Sequence, residues 1–183
     1  MSTEVKLSAG TTIKTATKMP EPTSSAQANS ISLQSESPST ETKPSVHDVA
    51  AFILEERGEM TAMKLQKLVY YSQAWSLVWD EAPLFEEPIE AWANGPVVRS
   101  LYRRHQGVFK VTGWIGESKN LSSVQKETIE KVLEFYGNMS SQALSDLTHQ
   151  ETPWIEARKG LSPTERGSRV ITLASMAEYY SSL

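Results

Sequence analysis

The chain has 183 residues, which is enough for one domain with a substantial hydrophobic core, and its formal net charge of −4 gives no strong basic field for nucleic-acid binding. The absence of cysteine excludes disulfides, thiolate zinc sites and cysteine nucleophiles. The apolar runs are too short for a transmembrane helix and no signal-peptide pattern is present, so we expect a cytoplasmic protein with no membrane contact.

Residues 1–45 differ in composition from the rest of the chain. Eighteen of these 45 residues are Ser or Thr, four are Pro and none is aromatic. Such a segment cannot bury enough apolar surface to offset the entropy lost on ordering. We therefore expect a disordered N-terminal tail over residues 1–45 and a folded domain over residues 46–183. An inert tail is the preferred interpretation, and a segment that folds on a partner is the alternative.

Helix signals begin at the end of this tail. Ser45 and Asp48 form an S-x-x-D capping pattern, and Thr61 can cap the next helix, which contains the segment MKLQKLVYYSQAWSLVW. This second helix is apolar on nearly all sides, which is typical of a central, buried helix. We expect its polar edge to carry Lys64, Lys67 and Gln73, with Tyr70 or Tyr71.

The segment PLFEEPIEAWANGPVV cannot continue a helix because it contains three prolines and a glycine. Alternating residues predict a short strand over 89–93. Asn94 or Gly95 is predicted to cap a helix with Pro96 in its first turn. The spacing of NGPVV does not fit a phosphate-binding loop. A second short strand is predicted over 108–112.

The C-terminal third reads as helical. Ser122 and Gln125 form a capping box for a helix that ends near Tyr136, and further helices are predicted from Ser140 or Ser141, over 152–160, and near the end of the chain. With six or seven helices and a small irregular or β insert, the predicted fold class is mainly α, a compact single domain.

The sequence offers little support for catalysis. His149 and Glu151 are close together, but the chain has three histidines and no H-E-x-x-H pattern, so a metal site is not predicted. His149 is assigned a structural role, with Trp154 filling the core beneath it. A G-x-S-x-G elbow is also absent. We therefore expect no catalytic residues, no cofactor and no enzymatic activity.

Four blocks resemble a known family when taken in order: KLQKLVYYSQAW, PLFEEPIEAWANGPVV, LTHQETPW and SMAEYY. The series is similar to the Panacea domain of SocA-like and GepA-like bacterial and phage proteins, over roughly residues 46–183. Proteins of this family are mostly antitoxins of type II toxin–antitoxin pairs that bind their toxin directly. Their toxins include RelA/SpoT-like pyrophosphokinases and Fic-type proteins.

The resemblance implies a non-enzymatic antitoxin that neutralises its cognate toxin by direct binding. SocA delivers its toxin to the ClpXP protease, so a proteolytic adaptor with ClpX as a further partner is the main alternative. An enzyme and a phage-encoded immunity protein are weaker alternatives. Some family members carry a DNA-binding domain, but this chain has no room for one outside its tail, so direct DNA binding is not expected.

The candidate toxin-binding residues are side chains expected at the surface. Arg99 and Arg103 are four apart on one helix face, and arginine suits carboxylate and phosphate partners and is enriched in interface hot spots. A solvated basic face is the alternative. The candidate toxin-binding set is Arg99, Arg103, Arg104, Tyr70, Lys67 and Trp92. The residues assigned structural roles are Leu65, Leu68, Trp75, Asn94, Gly95, Pro96, His149 and Trp154.

Overall fold

The computed structural model describes residues 19–21 and 43–183. The helices of this part are α1 (Val46–Arg57), α2 (Ala62–Trp79), α3 (Arg99–His105), α4 (Ser123–Tyr136), α5 (Ser141–Thr148), α6 (Thr152–Ala157) and α7 (Leu173–Ser181), with a 3-10 turn at Ser118–Asn120. The strands are β1 (Met60–Thr61), β2 (Ile89–Trp92), β3 (Gly95–Val98), β4 (Lys110–Val111) and β5 (Val170–Ile171). The prediction of a mainly helical fold with a small β insert is confirmed.

Most of the predicted N-terminal tail lies outside the described residues. The exceptions are residues 19–21 and 43–45. Met19 is only 2% exposed and belongs to the hydrophobic core. At least this one position of the predicted tail therefore packs against the helical domain.

Two helices begin at the reciprocal capping boxes that the sequence predicts. The Ser45 side chain accepts from the Asp48 backbone N–H, while the Asp48 carboxylate accepts from the Ser45 backbone N–H at 2.8 Å. Ser122 and Gln125 make the same pair of bonds at the start of α4. Each box supplies partners for amide groups that a helix leaves unpaired at its first turn.

Helix α2 lies at the centre of the fold. It packs against α1, α4, α5, α7 and β3, so that nearly every side of the helix meets another element. Leu65, Leu68 and Trp75 are each no more than 1% exposed. The apolar character of this helix on all sides follows from this position.

The polar edge expected on α2 does not exist beyond its first turn. Lys67, Tyr70, Tyr71 and Gln73 are each at most 1% exposed, so the expectation that they reach the surface is wrong. The reason is that the neighbouring elements enclose the helix, so that Lys67 bonds to a carbonyl of β3 and Tyr71 bonds to Glu151 inside the fold. Gln73 accepts from the Leu84 N–H at 2.8 Å. Such bonds satisfy backbone groups that no helix or strand could pair.

The NGPVV segment forms a strand, and the predicted helix start at Pro96 is wrong. Strands β2 and β3 pair antiparallel, with Trp92 opposite Gly95 and Ala91 opposite Pro96, and Ala93 and Asn94 make a two-residue turn. Strand β3 is an edge strand of the sheet order β3-β2-β5, where a proline is tolerated. Helix α3 begins three residues later than predicted, at Arg99.

The other small sheet joins β1 and β4. Met60 lies opposite Val111 and Thr61 opposite Lys110 in an antiparallel pair. This pairing confirms a short strand in the predicted 108–112 interval. It also holds the loop before β4 against the N-terminus of α2, because the Ala62 N–H donates to the Phe109 carbonyl at 3.0 Å.

A buried carboxyl group joins three distant parts of the chain. Glu151 is fully buried and accepts from the Tyr71 hydroxyl at 3.1 Å and from the Tyr180 hydroxyl at 2.7 Å. Burial raises the pKa of Glu151 to about 8, and the hydrogen bonds from Tyr180 and Tyr71 oppose the shift only in part. The carboxyl group is thus mostly protonated at neutral pH in the folded protein.

The raised pKa makes stability depend on pH. The folded state holds a proton on Glu151 that the unfolded chain, in which the pKa of this group has its ordinary value of 4.5, has released, so the contribution of Glu151 to stability declines as pH rises from about 4.5 to about 8. Glu151→Gln lacks this titrating group, and we expect its free energy of unfolding to gain about 2 kcal/mol relative to the wild type between pH 5 and pH 6.5. Urea unfolding across this range measures the difference. Glu156→Gln, on the exposed part of α6, should follow the wild-type profile, and parallel profiles for Glu151→Gln and the wild type would contradict the prediction.

Candidate partner-binding groove

A groove with a volume of about 760 Å³ lies on the described surface. It lies between the N-terminal turn of α2, the β2–β3 hairpin, the C-terminal part of α3 and the N-terminus of α5. Two residues of the loop before β5, Thr164 and Arg166, complete its wall. Grooves bounded by several elements are common sites of ligand and partner binding.

One rim of the groove is apolar and exposed. Phe109 is 77% exposed, Val108 is 49% exposed and Met63 is 37% exposed. The backbone bond from Ala62 to the Phe109 carbonyl and the pairing of β1 with β4 hold this rim in place. A contiguous exposed apolar rim beside a groove is typical of an interaction surface.

The Trp92 ring forms a fixed part of the opposite wall. Its indole N–H donates to Glu90 at 2.7 Å, and Arg99 donates to both carboxylate oxygens of Glu90 at 2.8 Å each. The guanidinium groups of Arg166 and Arg99 lie 5.2 and 5.9 Å from the centre of the Trp92 ring. The hydrogen bonds from Arg99 are the main reason that the pKa of Glu90 is lowered. These contacts orient the ring and place two cations beside it.

Lys67 lies beneath the hairpin at the floor of the groove. It is 1% exposed, and its Nζ donates to the Pro96 carbonyl at 3.0 Å. Burial lowers the pKa of Lys67 to about 7, because the ammonium form loses its hydration. The side chain packs tightly on the turn, since a Cβ on Gly95 would lie 2.6 Å from the Lys67 Cε.

Gln66 connects the hairpin to α3. Its amide oxygen accepts from the Val98 N–H at 2.8 Å, and its amide nitrogen donates to the Val98 carbonyl at 3.2 Å. The same nitrogen lies 2.9 Å from the His105 Nε2, which must therefore act as the acceptor. Burial lowers the pKa of His105 and so also favours the neutral ring. These bonds fix the position of α3 relative to the groove.

The loop before β5 is held by a buried arginine. Arg158 is 6% exposed and donates to the carbonyls of Ala91, Ser162 and Glu165 at distances of 2.8–3.0 Å. Its guanidinium also lies 5.3 Å from the Trp154 ring. Arg158 thereby joins β2 to the segment that carries Thr164 and Arg166 into the groove wall.

The THQETPW segment supports the same strand from the other side. The His149 and Trp154 rings stack with centroids 4.2 Å apart, and the Trp154 indole N–H donates to the Trp92 carbonyl at 3.0 Å. Trp154 is half-buried and packs against the core. His149 and Trp154 thus have structural roles, and they help to fix the end of β2 that carries Trp92.

The six candidate toxin-binding residues have three different outcomes. Lys67 and Trp92 line the groove, although Lys67 lies beneath its surface. Arg99 is partly exposed and bonded to Glu90, while Arg103 and Arg104 are exposed on α3. Tyr70 is fully buried, so its assignment to a surface is wrong. The sequence did not predict the groove residues Phe109, Gln66 and Arg166, nor Arg158, which holds the loop behind the groove wall. Of these, only Phe109, in the apolar pair that follows Gly107, could have been recognised from the sequence.

Basic and acidic residues are not balanced in the lining of the groove. Within residues 43–183, its lining residues include the cationic Arg166 and the buried Lys67 but no aspartate or glutamate. This is notable in a chain whose net charge is −4. A surface of this kind favours an occupant with an apolar part and a negative charge.

Other kinds of site find no support in the described ranges 19–21 and 43–183. No group of three or more His, Asp or Glu side chains is placed there to hold a metal ion. No helix of these ranges is long and apolar enough to cross a membrane.

Comparison with known proteins gives one family match. Residues 65–155 match the family model described as "Antitoxin SocA-like, Panacea domain". The match extends from α2 to α6 and includes the hairpin, α3 and most of the groove. It confirms the resemblance to Panacea-domain proteins and supports an antitoxin role in general terms, over a shorter range than the 46–183 that the sequence blocks suggested. A search of curated proteins and a search of solved structures gave no match.

Proposed function

We propose that this protein is the antitoxin of a type II toxin–antitoxin system and neutralises its cognate toxin by direct protein–protein binding. The match of residues 65–155 to the SocA-like antitoxin family is the observation that carries the proposal. The groove supports it, because the matched segment contains the Trp92 wall and the exposed Phe109 rim. The family resemblance offers a RelA/SpoT-like or Fic-type enzyme as the toxin.

We also propose that the protein acts stoichiometrically and catalyses no reaction itself. The groove lining, as far as the structure describes it, offers no carboxylate for general acid–base work. Its buried polar groups, Gln66 and Lys67, are bonded to backbone carbonyls of the hairpin and serve to hold it. The toxin would supply the chemistry, and this protein would cover it or hold it in an inactive shape.

A pull-down from the native host tests the proposal. Tagged full-length protein is used as bait, bound proteins are identified by mass spectrometry, and each is then expressed alone and together with this protein. We expect one stoichiometric partner that stops growth when alone and is silenced by co-expression. Failure of every stoichiometric partner to inhibit growth would contradict the proposal.

The same strains separate neutralisation by binding from delivery to a protease. We expect the partner's half-life in cells to be the same whether or not ClpX is present. A partner that persists only in cells without ClpX would favour the proteolytic adaptor.

A further inference from the structure

We propose that the groove receives a short segment of the toxin in which a large apolar side chain lies next to one or more carboxylates. The apolar side chain would pack between the Phe109 rim and the Trp92 wall, and the carboxylates would face Arg166 and Arg103. The inference rests on the proposed function only for the identity of the partner. It adds the binding surface and the chemistry that the partner must present.

The exposed rim requires an apolar partner group. Phe109 is among the most exposed of the large apolar side chains of residues 43–183, and Met63 and Val108 lie on the same groove. Elsewhere in the fold aromatic side chains pair with one another in the core, as Tyr71 does with Tyr136 at 4.0 Å. An aromatic ring held outward by a paired strand and a backbone bond is well placed to act as an interface hot spot.

The charges around the groove select an acidic segment. Lys67 lies under the floor and donates to the Pro96 carbonyl, and with its pKa lowered to about 7 by burial it adds part of a positive charge at neutral pH. Arg166 flanks the Trp92 ring at the rim, and Arg103 is exposed on α3 beside the groove residue Tyr102. A partner segment with basic residues would meet repulsion from each of these groups, whereas one with carboxylates would gain from all of them.

A protein segment fits these features better than a small ligand. The groove extends from the enclosed floor near Lys67 to the outward-pointing Phe109, and its wall is built from five separate elements. A small ligand seated on the floor would leave the Phe109 rim in water. A chain segment can cover the rim and the floor together, as an anchor side chain with flanking polar residues does in known interfaces.

A random 12-residue peptide library displayed on phage provides the probe. Immobilised full-length protein is screened in parallel with Phe109→Ala and Arg166→Glu. We expect enriched peptides to share a large apolar residue flanked by Asp or Glu. Their affinity should fall about 30-fold for Phe109→Ala and about tenfold for Arg166→Glu, and added salt should weaken binding to the wild type.

Matched variants away from the groove serve as controls. Phe135→Ala removes a partly exposed ring from α4, and Lys119→Glu reverses an exposed charge on the 3-10 turn. Both should bind the enriched peptides as the wild type does. Circular dichroism and thermal melting of every variant confirm that each is folded.

Several outcomes would overturn the inference. Enriched peptides without acidic residues would remove the charge argument, and equal capture by Phe109→Ala and the wild type would place binding elsewhere. A concentration-dependent dimer in sedimentation that Phe109→Ala abolishes would assign the groove to a second copy of this chain.

Growth rescue distinguishes failure of the inference from failure of the proposed function. If the wild type silences a toxin and Phe109→Ala silences it equally well, the inference fails while the antitoxin proposal stands. If acidic apolar peptides bind the groove but no captured partner is toxic, the proposed function fails while the chemistry assigned to the groove stands.

Discussion

Replacing Arg158 with alanine is expected to lower the free energy of unfolding by about 3 kcal/mol, since it leaves the buried carbonyl of Ala91 and the part-buried carbonyls of Ser162 and Glu165 without their donor. The variant also loses the contact of the guanidinium with the Trp154 ring. Chemical denaturation measures the loss. Because the same side chain positions the loop that carries Arg166, partner binding should weaken as well.

Two further variants test whether the several N–H donors of the Arg158 guanidinium account for the lost stability. Arg158→Lys keeps the charge, but a lysine ammonium cannot donate to the three carbonyls as the planar guanidinium does. We therefore expect the free energy of unfolding of Arg158→Lys to lie between those of Arg158→Ala and the wild type. Arg169→Ala removes an exposed arginine that donates to a single carbonyl, that of Lys159, and should change stability by no more than about 0.5 kcal/mol. Equal losses for Arg158→Ala and Arg169→Ala would contradict the assigned role.

Gly95→Ala is expected to lower the free energy of unfolding by about 3 kcal/mol and to distort the hairpin. Gly95 has a φ of +101°, which side-chain-bearing residues rarely adopt, and an added Cβ would lie 2.6 Å from Lys67 Cε and 2.9 Å from Thr148 Oγ1. Thermal unfolding measures the effect, with an expected decrease in Tm of about 10 °C.

Substitutions at two other glycines separate the effect of backbone strain from that of contact between the added Cβ and its neighbours. Gly107 has a φ of +81° with open space around its Cβ position, so Gly107→Ala reports backbone strain alone. Gly113→Ala should be nearly neutral, because the site is open and its φ is not positive. If Gly95→Ala lowers the free energy of unfolding no more than Gly107→Ala does, contact of the added Cβ with Lys67 does not contribute to the destabilisation.

The features that the sequence predicts well are local ones. A capping box such as Ser45 with Asp48 is complete within four residues, and the apolar pattern of α2 is visible in a single segment. Pro96 was misread because its neighbours fit both a helix start and a two-residue hairpin. The pairing with β2, which decides between them, depends on whether a second strand lies alongside.

The groove could be predicted only in part, since its residues come from distant segments. Trp92 and the arginines of α3 stood out as polar and aromatic residues in an irregular region. The sequence predicts Lys67 and Tyr70 at the surface, because composition does not show that α2 is enclosed by α1, α4, α5, α7 and β3. Arg158 gave no signal at all, as its role depends on carbonyls of a loop that folds back onto it.

The two buried titrating groups, Glu151 and Lys67, make folding of this domain a proton-transfer reaction with the solvent. Around pH 6, Glu151 takes up about one proton as the chain folds, and around pH 9 Lys67 releases about one, as the pKa values of about 8 and about 7 require. Those protons come from and go to the buffer. Calorimetric heats of unfolding should therefore differ between buffers of small and large ionisation enthalpy, and the part of the difference that Glu151→Gln removes at pH 6 should be opposite in sign to the part that Lys67 contributes at pH 9.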